Sequence, residues 1–141
     1  MTKRDVRHDV IKSIIRRGSV KTQRDLVEQL IAEGYECTQA TVSRDISDLG
    51  LVKSKDGYYL LPEDQRLQKM VGEMVDHGEL VGQFVVLHTP PGLASGVAGV
   101  FDTAELPEIA GTIAGDDTIF ILCRNNDDAR NLFTLVEHLR G

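Results

Sequence analysis

Thr38-Gln39-Ala40-Thr41-Val42-Ser43-Arg44-Asp45-Ile46 has the pattern of a helix with two chemically opposed faces, and it constrains everything around it. Thr38 is a helix-capping residue and Gly50 a helix stop. Val42, Ile46 and Leu49 recur at spacings of four and three, which buries one stripe. Gln39, Ser43 and Ser47 fall four apart on the other face, with Arg44 beside them. Such side chains hydrogen-bond base edges and phosphates. A solvated helix face carries the same residue types, so the flanking elements decide between the two readings.

Those flanks fit a DNA-binding module. Val6, Val10, Ile11, Ile14 and Ile15 trace an amphipathic helix ending near Gly18, and Thr22-Gln23-Arg24-Asp25 has the form of a capping box. The helix that follows carries Leu26, Val27, Leu30 and Ile31 and stops at Gly34, leaving a short link into the helix at 38. Residues 51–54 and 58–61 read as strands around Lys55-Asp56-Gly57, where Asp-Gly predicts a two-residue hairpin turn. Three helices and a hairpin wing make a winged helix-turn-helix, with Lys53 and Lys55 placed to reach phosphate. Lysines on an exposed strand edge also serve solubility alone.

Charge divides the chain. Residues 1–70 hold 13 Lys/Arg against 11 Asp/Glu, a net of +2, whereas residues 71–141 hold 3 against 11, a net of −8; together they give the −6 of the whole. Eight basic side chains (Lys3, Arg4, Arg7, Lys12, Arg16, Arg17, Lys21, Arg24) lie within the first 24 residues against Asp5 and Asp9. Positive potential is thus expected where a winged helix crosses the DNA backbone, and the acidic total argues against non-specific coating of nucleic acid. The expected organisation is a winged helix-turn-helix over residues 1–63, a linker over 64–70, and an oligomerisation and effector domain over 71–141. Units of about 60 to 75 residues have marginal cores, which favours oligomerisation. Met1-Thr2-Lys3-Arg4 leads into a charged helix rather than a signal peptide, and no run of about 18 apolar residues occurs, so a cytoplasmic location without membrane contact is expected. Cys37 and Cys123 read as structural thiols, and His8, His77, His88 and His138 as surface or packing residues without ligand spacing.

In the second half, 67–75 reads as a short helical or linking segment, and 84–89 is an evident strand, expected to pair with residues around 72–77 across Gly78-Glu79. Pro90-Pro91-Gly92 breaks it, a small-residue helix runs from 93 to 102, two apolar strands flank Gly115-Asp116-Asp117, and a helix over 126–139 follows. The order β-β-α-β-β-α gives an α+β fold, a sheet with two helices. Adjacent carboxylates at Asp116 and Asp117 repel unless a cation is near. One reading is a turn acceptor and a solvated neighbour. The sharper one is a site for an ammonium or guanidinium ligand, gripped by charge-assisted hydrogen bonds, with Asp102 as a third acceptor. A rival uses the same pair to hold a metal for phosphoryl transfer, but no phosphate-cradling Gly-rich loop with its Lys accompanies it.

On these residues the sequence resembles the bacterial arginine repressor family along nearly its whole length. Residues 38–45 are similar to the family's recognition-helix motif and Gly111-Thr112-Ile113-Ala114-Gly115-Asp116-Asp117-Thr118 to its arginine-site motif, with Thr89-Pro90-Pro91-Gly92 between them. The resemblance implies a non-enzymatic regulator of arginine synthesis and catabolism. Its partners would be double-stranded operator DNA, further copies of the chain as trimers paired into hexamers, and L-arginine bound between trimers as the effector, with no other cofactor. It further implies that Ser43 and Arg44 make the principal DNA contacts with help from Gln39 and Thr41. Asp116 and Asp117, flanked by Thr118, would hold arginine, and Asp102 would complete the site. It also permits an architectural or recombination accessory role. One departure is Ser95, where many relatives carry a longer polar side chain; serine reaches less far, which bears on effector preference.

Overall fold

A computed structural model describes residues 1–141, which form two compact units, 1–65 and 66–141. The first contains α1 (Lys3–Arg16), α2 (Gln23–Ala32), α3 (Gln39–Leu49), β1 (Val52–Lys53), β2 (Tyr59–Leu60) and the start of α4 (Pro62–Met74). Each of the first three helices starts at a threonine whose hydroxyl accepts a backbone N–H three residues on: Thr2 from Asp5, Thr22 from Asp25 and Thr38 from Thr41. At Thr2 and Thr22 the aspartate reciprocates, completing a capping box. α3 ends on Gly50 in the left-handed region (φ 65°), as its composition predicts. The core joins Ile11, Ile14 and Ile15 of α1, Leu26 and Leu30 of α2, Val42 of α3, and Val20 and Leu61. Ile46 and Leu49 pack on it partly buried, while Ile31 and Val6, expected inside, are exposed.

The wing differs in detail from expectation. β1 and β2 pair antiparallel, Val52 opposite Leu60 and Lys53 opposite Tyr59. The Ser54 N–H donates to the Tyr58 carbonyl at 2.8 Å, and the Gly57 N–H to the Ser54 carbonyl at 3.0 Å. The loop is therefore three residues, not two, with Gly57 at φ 86° supplying the left-handed position such a loop requires.

Residues 64–70, expected as a linker with a helical alternative from Leu67, lie inside α4. Pro62 sits at the helix start with Glu63 and Asp64 in the first turn, and Leu67, Val71 and Val75 are buried at intervals of four.

The second unit contains most of α4, then β3 (His77–Val81), β4 (Phe84–His88), α5 (Ala94–Ala104), β5 (Ile109–Ala114), β6 (Thr118–Cys123) and α6 (Asn126–Arg140). The four strands are all antiparallel in the order β3-β4-β6-β5. The partner of β4 is residues 77–81, across Gly82 and Gln83, rather than 72–77 across Gly78-Glu79; residues 72–74 belong to α4. One sheet face supplies Val85, Leu87, Ile119, Ile121 and Cys123 to the core, covered by Val97 and Phe101 of α5 and Ala129, Leu132 and Val136 of α6. The opposite face carries no helix. Alternation places Phe84 and Phe120 there, ring centroids 6.3 Å apart, with Ile113 at 76% exposure and Phe120 at 51%. No helix is long and apolar enough to cross a membrane.

Candidate functional site

The first region is α3. Gln39, Ser43, Arg44 and Ser47 are exposed, as their positions off the buried stripe require. Arg44 pairs with no acidic group of the chain, so its guanidinium is available for a phosphate or a guanine edge. Ser43 Oγ stands 3.5 Å from Gln23 Nε2, which brings the first turn of α2 against the recognition face. Gln23 is thus an addition to the surface, one that required knowing how α2 crosses α3. Thr41 is half-buried, and its hydroxyl meets that of Thr38 at 3.0 Å, so it serves the helix start. Lys53 is exposed but its ammonium donates to the Lys21 carbonyl at 2.9 Å and lies 4.9 Å from the Tyr59 ring centroid. Of the eight basic residues near the N-terminus, Arg4, Arg7, Arg16, Arg17 and Arg24 are ion-paired within the unit, to Asp48, Asp45, Asp64, Glu33 and Glu28. The positive surface expected there is accordingly reduced.

Asp45 holds α3 in place. It is 1% exposed, and its carboxylate accepts from Arg7 Nε and Nη2 and lies 2.9 Å from His8 Nε2, which ties α3 to α1 on the side away from the recognition face. Burial alone would raise its pKa, but the hydrogen bonds from Arg7 and His8 outweigh that cost and hold the carboxyl below the usual aspartate range. Arg7 is raised in turn by its bond to Asp45. Cys37 and Cys123 are free thiols, and burial raises both, which keeps them protonated and unreactive.

The second region is the hairpin turn between β5 and β6. The Gly115 N–H donates to the Thr118 carbonyl at 2.8 Å, closing the turn. The Asp116 carbonyl accepts from the Gly92 and Ala94 N–H groups, and the Asp117 carbonyl from Thr89 N–H at 2.8 Å. The Thr89-Pro90-Pro91-Gly92 break therefore clasps the acidic turn to the start of α5, where Ser95 is exposed in the first helical turn. Both acidic side chains are exposed; Asp117 Oδ1 accepts from Thr118 Oγ1 at 2.9 Å, and neither carboxylate meets a cation of this chain. Asp102 is eight residues beyond Ala94, about 12 Å along the helix axis, and accepts from Thr112 Oγ1 at 2.7 Å. It does not join Asp116 and Asp117 in one cluster, and no third histidine or carboxylate comes close enough to share an ion with the pair.

The histidines lie at the surface or pack against neighbouring side chains, as expected. His8 is bound to Asp45, and β3–β4 pairing places His77 against His88, with His88 Nε2 2.9 Å from Glu79 Oε2.

A helix-turn-helix with a wing and a free polar recognition face, followed by an α+β unit displaying an uncompensated acidic turn, defines a winged-helix DNA-binding regulator with an effector-type second domain. Similarity to known proteins carries this further. Residues 1–67 match the family described as arginine repressor, DNA binding domain, and residues 71–138 match arginine repressor, C-terminal domain. The chain is 46% identical over 132 residues to the arginine repressor of Halalkalibacterium halodurans, covering 86% of this chain and 89% of that one. It is 42% identical over 137 residues to the arginine repressor of Thermus thermophilus, covering 89% and 84%. The chain belongs to the arginine repressor family of DNA-binding transcriptional repressors.

Proposed function

We propose that this repressor reads operator DNA with α3 and responds to L-arginine through the Asp116-Asp117 turn. The observation that carries the reading is the pairing of two unneutralised faces: a guanidinium with no acidic partner on α3, and two carboxylates with no cationic partner on a hydrogen-bonded turn. Arg44 and Ser43 would contact base edges and phosphate, with Gln39 and Ser47 on the same face and Lys53 at the wing. Thr41 would act by fixing the helix start.

A turn held by backbone hydrogen bonds presents its two carboxylates from a fixed backbone, suited to a guanidinium or ammonium. Asp102, eight residues along α5 from Ala94, does not come within ion-sharing distance of both turn carboxylates in a single chain. A site using all three carboxylates, with Thr118 and Ser95 at its edge, is therefore built with a second copy, in keeping with trimers paired through arginine. The exposed apolar sheet face supports such self-association, since a soluble monomer rarely leaves so many aromatic and aliphatic side chains in water.

Linkage supplies the mechanism. Arginine neutralises acidic turns that repel between copies, stabilises the assembly and so presents several winged domains to neighbouring half-sites. A coupling of about 1 to 3 kcal/mol corresponds to roughly 5- to 150-fold in operator affinity. Fluorescence anisotropy of DNA from upstream of arginine genes, at fixed salt with and without L-arginine, should show tightening in that range. Equal affinity in both conditions would remove arginine as the effector while leaving DNA binding in place.

Asp117→Ala should lose the arginine response while retaining weak, salt-sensitive DNA binding. Calorimetric arginine affinity equal to the unsubstituted chain would refute the assignment of this turn.

A further inference from the structure

We propose that His77, Glu79 and His88 form a binding site for a divalent transition metal of the zinc type. The register of β3 and β4 sets His77 directly opposite His88, and Glu79 follows two residues later on the same face of the same strand. The imidazole centroids are 4.2 Å apart with planes at 13°, and His88 Nε2 is 2.9 Å from Glu79 Oε2. One donor atom from each of the three lies within 4.8 Å of the others. Zinc–nitrogen and zinc–oxygen bonds of about 2.0 to 2.2 Å at tetrahedral angles place donors roughly 3.4 Å apart. Side-chain rotation brings the three donors to that spacing with no change of backbone.

Donor type selects the ion. Two imidazoles and one carboxylate suit zinc, nickel and copper, whereas magnesium and calcium require a shell of oxygens. Three protein donors leave a fourth position for water or an incoming ligand. His77 and Glu79 are exposed and His88 is half-buried, at the end of the β3–β4 pair opposite Val81 and Phe84, so an ion reaches them beside the apolar patch assigned to self-association.

A second cluster, His8 with Asp45 and Asp48, has similar spacing and opposite electrostatics. There Arg7 and Arg4 already occupy the two carboxylates. No arginine or lysine pairs with Glu79, whose partner is His88. A bound ion would pin β3, the edge strand, to β4 on the helix-free face of the sheet.

The site is tested on the full-length protein free of any histidine tag, at pH 7.5, where most imidazoles are neutral. Calorimetric titration with zinc chloride should give one ion per chain, cobalt(II) should develop a visible d–d band, and magnesium should give no saturable signal. His77→Ala and His88→Ala should each weaken zinc at least about tenfold, since disturbing even the groups that support metal ligands costs 10- to 100-fold. The double variant should lose the cobalt band. Far-UV circular dichroism checks that these replacements of surface residues leave the fold intact. Absence of saturable zinc binding, or zinc affinity unchanged in the folded double variant, would overturn the proposal, as would magnesium binding as well as zinc.

Discussion

Asp45→Ala is expected to destabilise the winged-helix unit by about 3 kcal/mol, at the lower end of the cost of breaking a buried ion pair because Arg7 retains a fifth of its side-chain exposure. The variant strands the Arg7 guanidinium against a core without its anion and removes the bonds that tie α3 to α1. The unit has few fully buried side chains to absorb that loss. At roughly 4 °C or more per kcal/mol for a domain of this size, its melting midpoint should drop by at least about 12 °C. Operator binding should fall with it, although Asp45 faces away from the recognition surface.

The pH dependence has a defined sign. Asp45 titrates lower in the folded chain than in the unfolded one. Its stabilisation is therefore complete above the unfolded value of about 3.9 and is lost as pH falls through the depressed folded value. Thermal melts from pH 7 down to pH 3 should show a steeper decline for the unsubstituted chain than for Asp45→Asn. Parallel declines in the two would mean that Asp45 is not held ionised by Arg7 and His8.

The helices of the first unit are legible in the sequence because their signals are local: a threonine cap, an aspartate three residues on, a glycine stop and a 3.6-residue apolar period. Asp45 carries a subtler signal. It occupies the i+3 place in the stripe Val42, Ile46, Leu49, and a charged residue inside a buried stripe requires a partner, here supplied by Arg7 and His8 from 38 and 37 residues away. In α4, Pro62, Glu63 and Asp64 suggest a linker, although proline followed by acidic residues is equally a helix start. β3 escapes a sequence reading because an edge strand exposed along most of its length lacks the alternation that marks a half-buried strand.

In the second unit β4, α5, β5, β6, α6 and the acidic turn follow from residue types alone. The hydrogen bonds from Thr89, Gly92 and Ala94 that hold the turn do not, since they depend on where the chain after Pro90-Pro91 passes. The histidine cluster is hidden for the same reason: His77 and His88 have no ligand spacing along the chain and meet only through strand register.

Arg44→Ala should abolish operator-specific binding while leaving oligomeric state and melting temperature unchanged. Arg44 is exposed and contributes nothing to the core, and its guanidinium makes no ion pair within the chain. Its removal thus leaves no buried group unsatisfied, in contrast to Asp45. Loss of a bidentate base contact costs about 1 to 3 kcal/mol per copy. In an assembly that engages several half-sites the penalties accumulate across the bound domains, so a modest loss in each becomes loss of the specific complex. The Coulombic attraction of the other exposed basic groups survives, so residual binding should be weak, indifferent to sequence and steeply dependent on salt. Competition anisotropy with operator and scrambled duplexes at two salt concentrations separates the components: the variant should bind both duplexes alike. If it still prefers the operator by the original ratio, α3 does not read DNA through Arg44, and specificity must lie with Ser43, Gln39 or the wing.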